Sequence, residues 1–294
     1  MAADTQLTIL GRRGFVGSAY VKQFYDPSIG NIVSCNAKTD YNVHSKDVLY
    51  LISTVHNFHV STDPYIDINT NLTTLVKVLE NWKKRSDSKD GVFNFISSWL
   101  CYGNQDVLPV SEDAVCNPVG FYSVTKHCAE QLLRDYCSAF GLHYRILRLC
   151  NVIGPGDAKV SAHKNGLQYL VNKLYNNESV EIYGDGNFYR SYIHVDDVAR
   201  AIDLVITKGN INEVYNVGNG KSWPFRDIIN YCARSLDSKS SITYVEPKDL
   251  AKQVVVRSFT MDVSKLKSLG FVPEYTGEKL FSSLMPRGAV NGST

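Results

Sequence analysis

The chain has 294 residues, 44% of them apolar and 20% charged, with a formal net charge of +2. That is the composition of an ordinary globular protein with a core large enough for one domain or two, and it offers neither a basic field for nucleic acid nor an acidic tail. No apolar run approaches the roughly 20 residues of a membrane helix, and the opening MAADTQ lacks the charged and apolar regions of a signal peptide, so the expectation is a cytoplasmic protein with no membrane or nucleic-acid partner.

In chain order, QLTIL (6–10) reads as a strand, followed by the glycine turn LGRRGFVGS and a helix over GSAYVKQFY. NIVSC (31–35) is a second strand, and DVLYLIST (47–54) a third, apolar on both faces as a buried parallel strand is. DINTNLTTLVKVLENWKKR (67–85) has a helical period that places Leu72, Leu75, Val76 and Leu79 on one side. VFNFISS (92–98) and YRILRL (144–149) are strands, with a helix in PVGFYSVTKHCAEQLLRDYCSAFG (118–141) between them. This alternation predicts a right-handed, doubly wound parallel α/β sheet. After Asn151 the rhythm breaks: SVEIYGDGNFYRSYIHVDDVARAI mixes strand and helix, and PFRDIINYCARSL is a later helix with Ser222 as its cap. The expected division is a nucleotide-binding domain over 1–155, to which a segment around 188–217 returns, and a smaller lobe made of 156–187 and 218–294. Seven cysteines (Cys35, Cys101, Cys116, Cys128, Cys137, Cys150 and Cys232) include no C-x-x-C pair, which favours reduced thiols over disulfides or a metal site.

Three weak signals carry chemistry. Gly11, Gly14 and Gly17 follow a strand and open a helix, the context in which backbone N–H groups and a helix N-terminus hold a dinucleotide pyrophosphate. Tyr122 and Lys126, four apart on a helix, share one face. A nearby ammonium stabilises phenolate and lowers a tyrosine pKa from about 10 toward neutrality, which would let Tyr122 act as acid and base toward a hydroxyl or carbonyl. A solvated helix surface also carries such pairs, so the third signal matters. Ser98 ends its strand, and ligands of an open α/β sheet bind beyond the carboxyl ends of strands. The glycine turn, Ile52 and Ser53 at the end of the third strand, Ser98 and the start of the Tyr122 helix all fall on that edge.

Taken with DPYIDINTNL, FISSWLCYG, RLCNVIGPG, IYGDGNFYRSYIHVDDVA and YNVGNG, these stretches resemble the extended short-chain dehydrogenase/reductases, the NAD(P)-dependent nucleotide-sugar epimerase/dehydratase family, over nearly the whole chain. The resemblance implies a Rossmann-type sheet with a smaller C-terminal α/β substrate-binding lobe. It implies that Ser98 and Tyr122 bond the sugar hydroxyl or ketone, that Tyr122 moves the proton, and that Lys126 binds the nicotinamide ribose and keeps Tyr122 ionised. Gly11, Arg12, Arg13, Gly14, Phe15, Val16, Gly17, Ile52 and Ser53 would line the cofactor, with Asn69 on a supporting helix near the lysine. Asn151, Arg190 and Arg257 would meet the sugar and diphosphate of a nucleotide-linked substrate, a guanidinium matching phosphate in geometry and charge; Trp99, Asn165 and His56 would complete that side. The helices over 67–85 and 121–139 would pair in a homodimer.

The departures narrow the reading. Relatives that dehydrate a sugar carry Asp-Glu directly after the Ser98 position; Trp99 and Leu100 stand there, and neither exchanges a proton. Dehydration and decarboxylation are therefore disfavoured. Cys101 lies three residues after Ser98, where strand alternation predicts a core thiol, and His163 remains as a further proton donor. NAD-preferring relatives end the second strand with a carboxylate; here Ser34, Cys35 and Asn36 stand at that place, with Lys38 just beyond. With Arg12 and Arg13 in the turn, this favours NADP(H) over NAD. The short stretch between the second and third strands predicts that an edge strand is reduced or lost. His56 and His59 read as hydrogen-bonded loop histidines rather than metal ligands. The leading function is nucleotide-sugar 4-epimerisation by transient hydride transfer at C4, and the alternative is an NADPH-dependent reductase of nucleotide-4-keto-sugars. A third reading, a non-catalytic dinucleotide-sensing protein, is opposed by the joint presence of Ser98, Tyr122 and Lys126.

Overall fold

The computed structural model describes residues 6–28, 30, 32–34 (backbone only), 41–157, 160–161, 164–247, 252 and 257–285. The first half runs β1 (Leu7–Leu10), α1 (Phe15–Phe24), β2 (Ile32–Ser34), β3 (Asp47–Tyr50), α2 (Tyr65–Asp67), a π-helical turn (Ile68–Thr73), α3 (Thr74–Lys83), β4 (Val92–Ser98), α4 (Phe121–Phe140) and β5 (His143–Leu149). The second half runs β6 (Asn151–Ile153), α5 (Gly166–Tyr175), β7 (Val180–Tyr183), β8 (Tyr189–His194), α6 (Val195–Lys208), β9 (Glu213–Val217), β10 (Ser222–Pro224), α7 (Phe225–Ser235) and β11 (Ile242–Val245), followed by short helices at Ser264–Ser268 and Gly277–Ser282.

Six of these strands form one parallel sheet in the order β2-β1-β3-β4-β5-β9. The apolar strands are covered on both faces. Leu7, Ile9, Leu49 and Leu147 face a cluster with Val198, Ile202 and Val205 of α6, against which Val16 of α1 also packs. Leu10, Val48, Tyr50, Phe93, Phe95 and Ile146 face Leu75, Val78, Leu79 and Trp82 of α3 and Ala129, Leu133 and Cys137 of α4. Because β3 returns on the far side of β1 from β2, the strand order reverses beside β1, which opens a crevice at the carboxyl edge. No further strand lies between β2 and β3 among the described residues, so β2 is the sheet edge, as the short connection predicts.

The helix over 67–85 differs from its expected face. Val76 is 39% exposed, whereas Val78 and Trp82 are fully buried beside Leu75 and Leu79. The π-helical turn at Ile68–Thr73 is the reason, since a wider turn rotates the phase of every residue after it. Ser222 is not a helix cap either. It belongs to β10, opposite Ser191, with Oγ 2.7 Å from Thr260 Oγ1, and α7 begins after Pro224 with no side-chain cap.

Strands β10, β8 and β6 form a second, three-stranded sheet, and β7 pairs with β11. With α5 and α7 they enclose a third apolar cluster around Leu167, Val171, Ile182 and Ile228. Of the segment expected to return to the larger sheet, α6 and β9 do so, whereas β8 joins the smaller one. No helix among the described residues is long and apolar enough to cross a membrane.

Trp82 shows how firmly α3 is anchored: it is fully buried and its Nε1 donates to Lys46 O at 2.7 Å. Trp82→Ala should destabilise the protein by about 3–5 kcal/mol through lost burial and a cavity, read as a shift in the urea midpoint at unchanged slope.

Candidate active site

The glycine turn is shaped by close backbone approach. Gly11 has φ +94°, and a Cβ on Gly17 would lie 2.4 Å from Gly11 O and 2.8 Å from Arg12 Cα. Helix α1 starts here with Gly14 as its N-cap, no capping side chain and no acidic residue in its first turn. A tight turn with glycine at its close backbone approaches, against an uncapped helix N-terminus, fits the pyrophosphate of a dinucleotide. Phe15 and Val16 are half-buried in the first turn of α1, Arg12 is half-buried and Arg13 exposed. Asn36, Lys38 and His163 lie outside the described residues.

Ser98 is the last residue of β4. Its Oγ accepts from Leu100 N at 3.2 Å and so starts a 3-10 turn over Trp99–Tyr102. That turn ends the strand alternation. Cys101 is nevertheless a core thiol, fully buried with Sγ 3.5 Å from Ser97 Oγ, and burial pushes its pKa up.

Tyr122 and Lys126 are set by the start of α4. Asn57 Oδ1 accepts from Ser123 N at 3.1 Å, and Gly120, at φ +93°, leaves the space this carboxamide fills: a Cβ there would come within 2.5 Å of it. The Tyr122 phenol is almost fully buried, and the hydroxyls of Ser98 and Ser53 favour its ionised form. Lys126 Nζ donates to Ile96 O at 2.7 Å and lies 4.1 Å from the centre of the Phe95 ring. The expected lowering of the tyrosine pKa is not found. Burial raises it more than the two serines lower it, because the ammonium is engaged by a carbonyl and a ring rather than by the phenol. Burial also depresses the Lys126 pKa, to about 8.

The asparagine that supports this pair is Asn71, not Asn69. Asn69 is exposed, whereas buried Asn71 accepts from Thr54 N at 3.0 Å and Ser53 Oγ at 3.1 Å. Its Nδ2 donates to Thr54 Oγ1 at 2.8 Å and to Thr125 Oγ1 at 3.0 Å, joining the chain after β3 to the residue before Lys126. Beneath them, Glu130 pairs with Arg148 (Nε–Oε1 3.0 Å, Nη2–Oε2 2.6 Å) and accepts from Ser97 Oγ at 2.5 Å. Burial opposes the charge of this carboxylate, but the guanidinium holds its pKa below the usual range.

On the substrate side, Trp99 is buried against Phe259, ring centres 4.4 Å apart. Arg190 lies over Phe188 at 4.5 Å and near Trp99 at 5.8 Å, and it donates to the backbone oxygens of Tyr189 and Arg257. Arg257 is exposed and its N–H donates to Asn104 Oδ1 at 2.8 Å. Ser98, Trp99, Arg190 and Arg257 are thus brought together. Asn151 and Asn165 act within the smaller lobe: Asn151 Nδ2 donates to Ser191 O at 3.0 Å, and Asn165 Nδ2 to Gln168 Oε1 at 2.8 Å. His56 stands on the loop after β3, its ring 4.0 Å from that of His59. A cavity of about 630 Å³ on the outer side of α4, lined by Cys128, Leu132, Asp135 and Tyr144 among others, shares no residue with this site.

A phosphate cradle at the switch point of a doubly wound sheet, with serine, tyrosine and lysine on the same edge, defines a dinucleotide-binding α/β protein. Residues 7–218 match the sequence profile of the NAD dependent epimerase/dehydratase family, and the chain belongs to that family. A Methanocaldococcus jannaschii protein provisionally assigned as a UDP-glucose 4-epimerase is 27% identical over 298 residues, covering 91% of this chain and 93% of that protein. A dTDP-glucose 4,6-dehydratase of Streptomyces griseus is 23% identical over 306 residues, covering 92% and 89%. Among solved structures, UDP-glucose 4-epimerase of Thermotoga maritima with UDP-glucose superposes with a TM-score of 0.81 at 24% identity, covering 95% of this chain and 96% of that one. Other structures of this fold hold NAD or NADPH, and the family is described as NAD dependent.

Two outcomes test the site's energetics. Between pH 8 and the ordinary lysine value of 10.5, the unfolded chain holds a proton on Lys126 that the folded chain does not. Stability from this group therefore rises with pH across that window, and below it the buried charge weighs fully against folding. Lys126→Met should raise the melting midpoint at pH 7 and lose that advantage above pH 10.5. Glu130→Ala, which strands the Arg148 charge in the interior, should cost about 3–5 kcal/mol in denaturant unfolding.

Proposed function

We propose that the protein is a nucleotide-sugar 4-epimerase. One observation supports the reading: the Tyr122 phenol is buried, with the Ser98 and Ser53 hydroxyls favouring its ionised form, while the two residues after Ser98 are Trp99 and Leu100, which move no proton. The site suits oxidation and reduction at one carbon without elimination. Dehydratases among the relatives keep that chemistry within the family, and the absent Asp-Glu pair argues against it here.

In this reading Ser98 holds the C4 oxygen, and Tyr122 takes its proton as the alcohol becomes a ketone, then returns it. A bound nicotinamide would supply the hydride acceptor and donor for this exchange. Lys126 would hold the nicotinamide ribose and, when protonated, offset the phenolate charge that burial resists. Arg190 and Arg257 would take the diphosphate, and the Trp99–Phe259 stack would form the apolar wall of the sugar pocket. The UDP-sugars of the relatives are the model for its substrate.

The alternative is an NADPH-dependent 4-ketoreductase, favoured by Arg12 and Arg13 in the cradle and by the residues at 34–38, which include no carboxylate. NADP(H) is preferred over NAD on that ground. The further parts of the proposal are the domain division at 155–156, a cytoplasmic location and a homodimer formed through α3 and α4. Val76, Val124 and Leu132 stand exposed on those helices.

Mass analysis of the nucleotide released on denaturation decides between the two chemistries. Retained NAD⁺ or NADH fits a cofactor recycled in place, and exchangeable NADPH fits the reductase. Tyr122→Phe should lower conversion of UDP-glucose to its C4 epimer by about 10²–10⁴-fold; unchanged conversion would remove Tyr122 as the acid–base group, and no conversion by the unaltered protein would favour a nucleotide-sensing role. Light scattering should return the mass of a dimer, and a monomer would remove the helix pairing.

A further inference from the structure

A second group of titratable side chains stands beside Tyr122 and takes no part in the mechanism above. The loop after β3 passes His56 into a 3-10 turn at His59–Ser61, and α2 carries Asp67. Asp67 is fully buried. Its Oδ1 is 3.2 Å from His59 Nδ1, and its Oδ2 has no hydrogen-bond partner among the described residues. A buried carboxylate oxygen left unsatisfied is costly, and such an atom marks a place that something else visits. The 3-10 turn and α2 both pack on α4, and Asn57 of the same loop accepts from the backbone N–H of Ser123, the residue after Tyr122. The His59 side chain keeps 22% of its surface exposed, and its ring lies against that of His56. Proton-exchanging atoms therefore run from a closed-in phenol, past a carboxylate with one oxygen unused, to an imidazole in contact with solvent.

We propose that Asp67 and His59 form a proton relay between Tyr122 and solvent, with a bridging water or substrate hydroxyl spanning the gap from Asp67 Oδ2 to the phenol. The inference rests on reading Tyr122 as the acid–base group of an alcohol–ketone interconversion. In reduction, hydride from NADPH goes to the carbonyl carbon, and the Tyr122 proton goes to its oxygen. The phenolate left behind is buried and must regain a proton before the next turnover. His59 Nδ1 gives its proton to the Asp67 carboxylate as Nε2 takes one from solvent, and Asp67 passes that proton through the bridging hydroxyl to the phenolate. The sum is ketone, NADPH and one solvent proton giving alcohol and NADP⁺. An imidazole suits the step because it exchanges a proton at each of two nitrogens. Epimerisation needs no such supply, since the proton leaves and rejoins the same oxygen. The relay thus equips the same site for net reduction, with a nucleotide-4-keto-sugar as substrate class.

The test uses the full-length enzyme with UDP-4-keto-6-deoxyglucose and NADPH, following nicotinamide fluorescence through the first turnover and into the steady state. His59→Ala should leave the first turnover at the wild-type rate, because Tyr122 enters it protonated, and lower the steady state by about 10²-fold, the low end for a positioned acid–base group. Added imidazole should restore it, and His59→Gln should show the same split without rescue. A wild-type steady state in both variants would overturn the relay. So would a joint fall of both phases without rescue, which is the mark of a structural loop pin. Nitrogen NMR of the cofactor-free protein gives a readout independent of turnover: the His59 proton is expected on Nδ1, and a bare Nδ1 would overturn the relay. Tyr122→Phe, run in parallel, separates the two failures. If it turns over, the reading of Tyr122 falls; if it is dead while the His59 variants behave as wild type, the relay alone falls.

Discussion

The buried contact between Glu130 and Arg148 is the constraint on which the site depends. It joins three elements at the level where chemistry is placed: Arg148 near the end of β5, Glu130 one turn beyond Lys126 on α4, and Ser97 of β4, whose hydroxyl the carboxylate also accepts. Ser97 and Arg148 face each other in the sheet register, and Ser98 follows directly. A shift of α4 against β4 would therefore separate Tyr122 from Ser98 only by first breaking this pair. Burying two charges seldom adds net stability over an apolar alternative, while stranding one of them is severe. The pair is better understood as fixing register than as strengthening the fold. The Arg148 guanidinium, 4.5 Å from the centre of the Tyr102 ring, extends the same lock into the turn after Ser98.

Within that frame the interior works against the groups it carries. Tyr122 and Lys126 are buried among Phe95, Cys101 and strand backbone, and burial opposes the ionised form of each. A phenol that resists ionisation stays protonated at rest, and the phenolate it leaves on giving its proton is a strong base that readily takes one back. Lys126 is held by the Ile96 carbonyl and the Phe95 face, so its charge is available to a ligand at the strand ends without being spent on the phenol beforehand. This is the familiar conflict between a strained site and a stable fold, concentrated here in one turn of one helix.

Much of this was legible in the residues. The strand over 92–98 and the helix carrying Tyr122 fall where the periodicity puts them, because a parallel strand covered on both faces and an amphipathic helix each leave an unmistakable apolar pattern. That no further strand lies between β2 and β3 among the described residues agrees with the short spacing. What escaped were effects of local geometry. The π-helical turn at Ile68–Thr73 shifted the helix phase, so that Asn71 rather than Asn69 turned inward and Val76 turned out. Ser222 looked like a cap because caps are read from residue type, yet it was drawn into β10 by pairing with Ser191. Asn57, which sets the start of α4, left no sequence signal, because its partner Ser123 is remote in the chain.

The same remoteness bears on chemistry. Motif reading looks for acids and bases beside Ser98, and there the chain offers an indole and a leucine; it would be natural to conclude that Tyr122 stands alone. The fold brings the loop after β3 and α2 onto the other flank of α4, and with them a histidine and a buried aspartate. Acid–base capacity on that flank serves a different end from capacity beside Ser98. Groups next to the reacting carbon remove substrate protons and favour elimination, whereas Asp67 and His59 are proposed to supply the tyrosine with its proton. In the proposed reading, ionisable residues on the loop after β3 and α2, rather than beside Ser98, leave hydride chemistry at a single carbon in place and give the tyrosine a route by which to regain its proton.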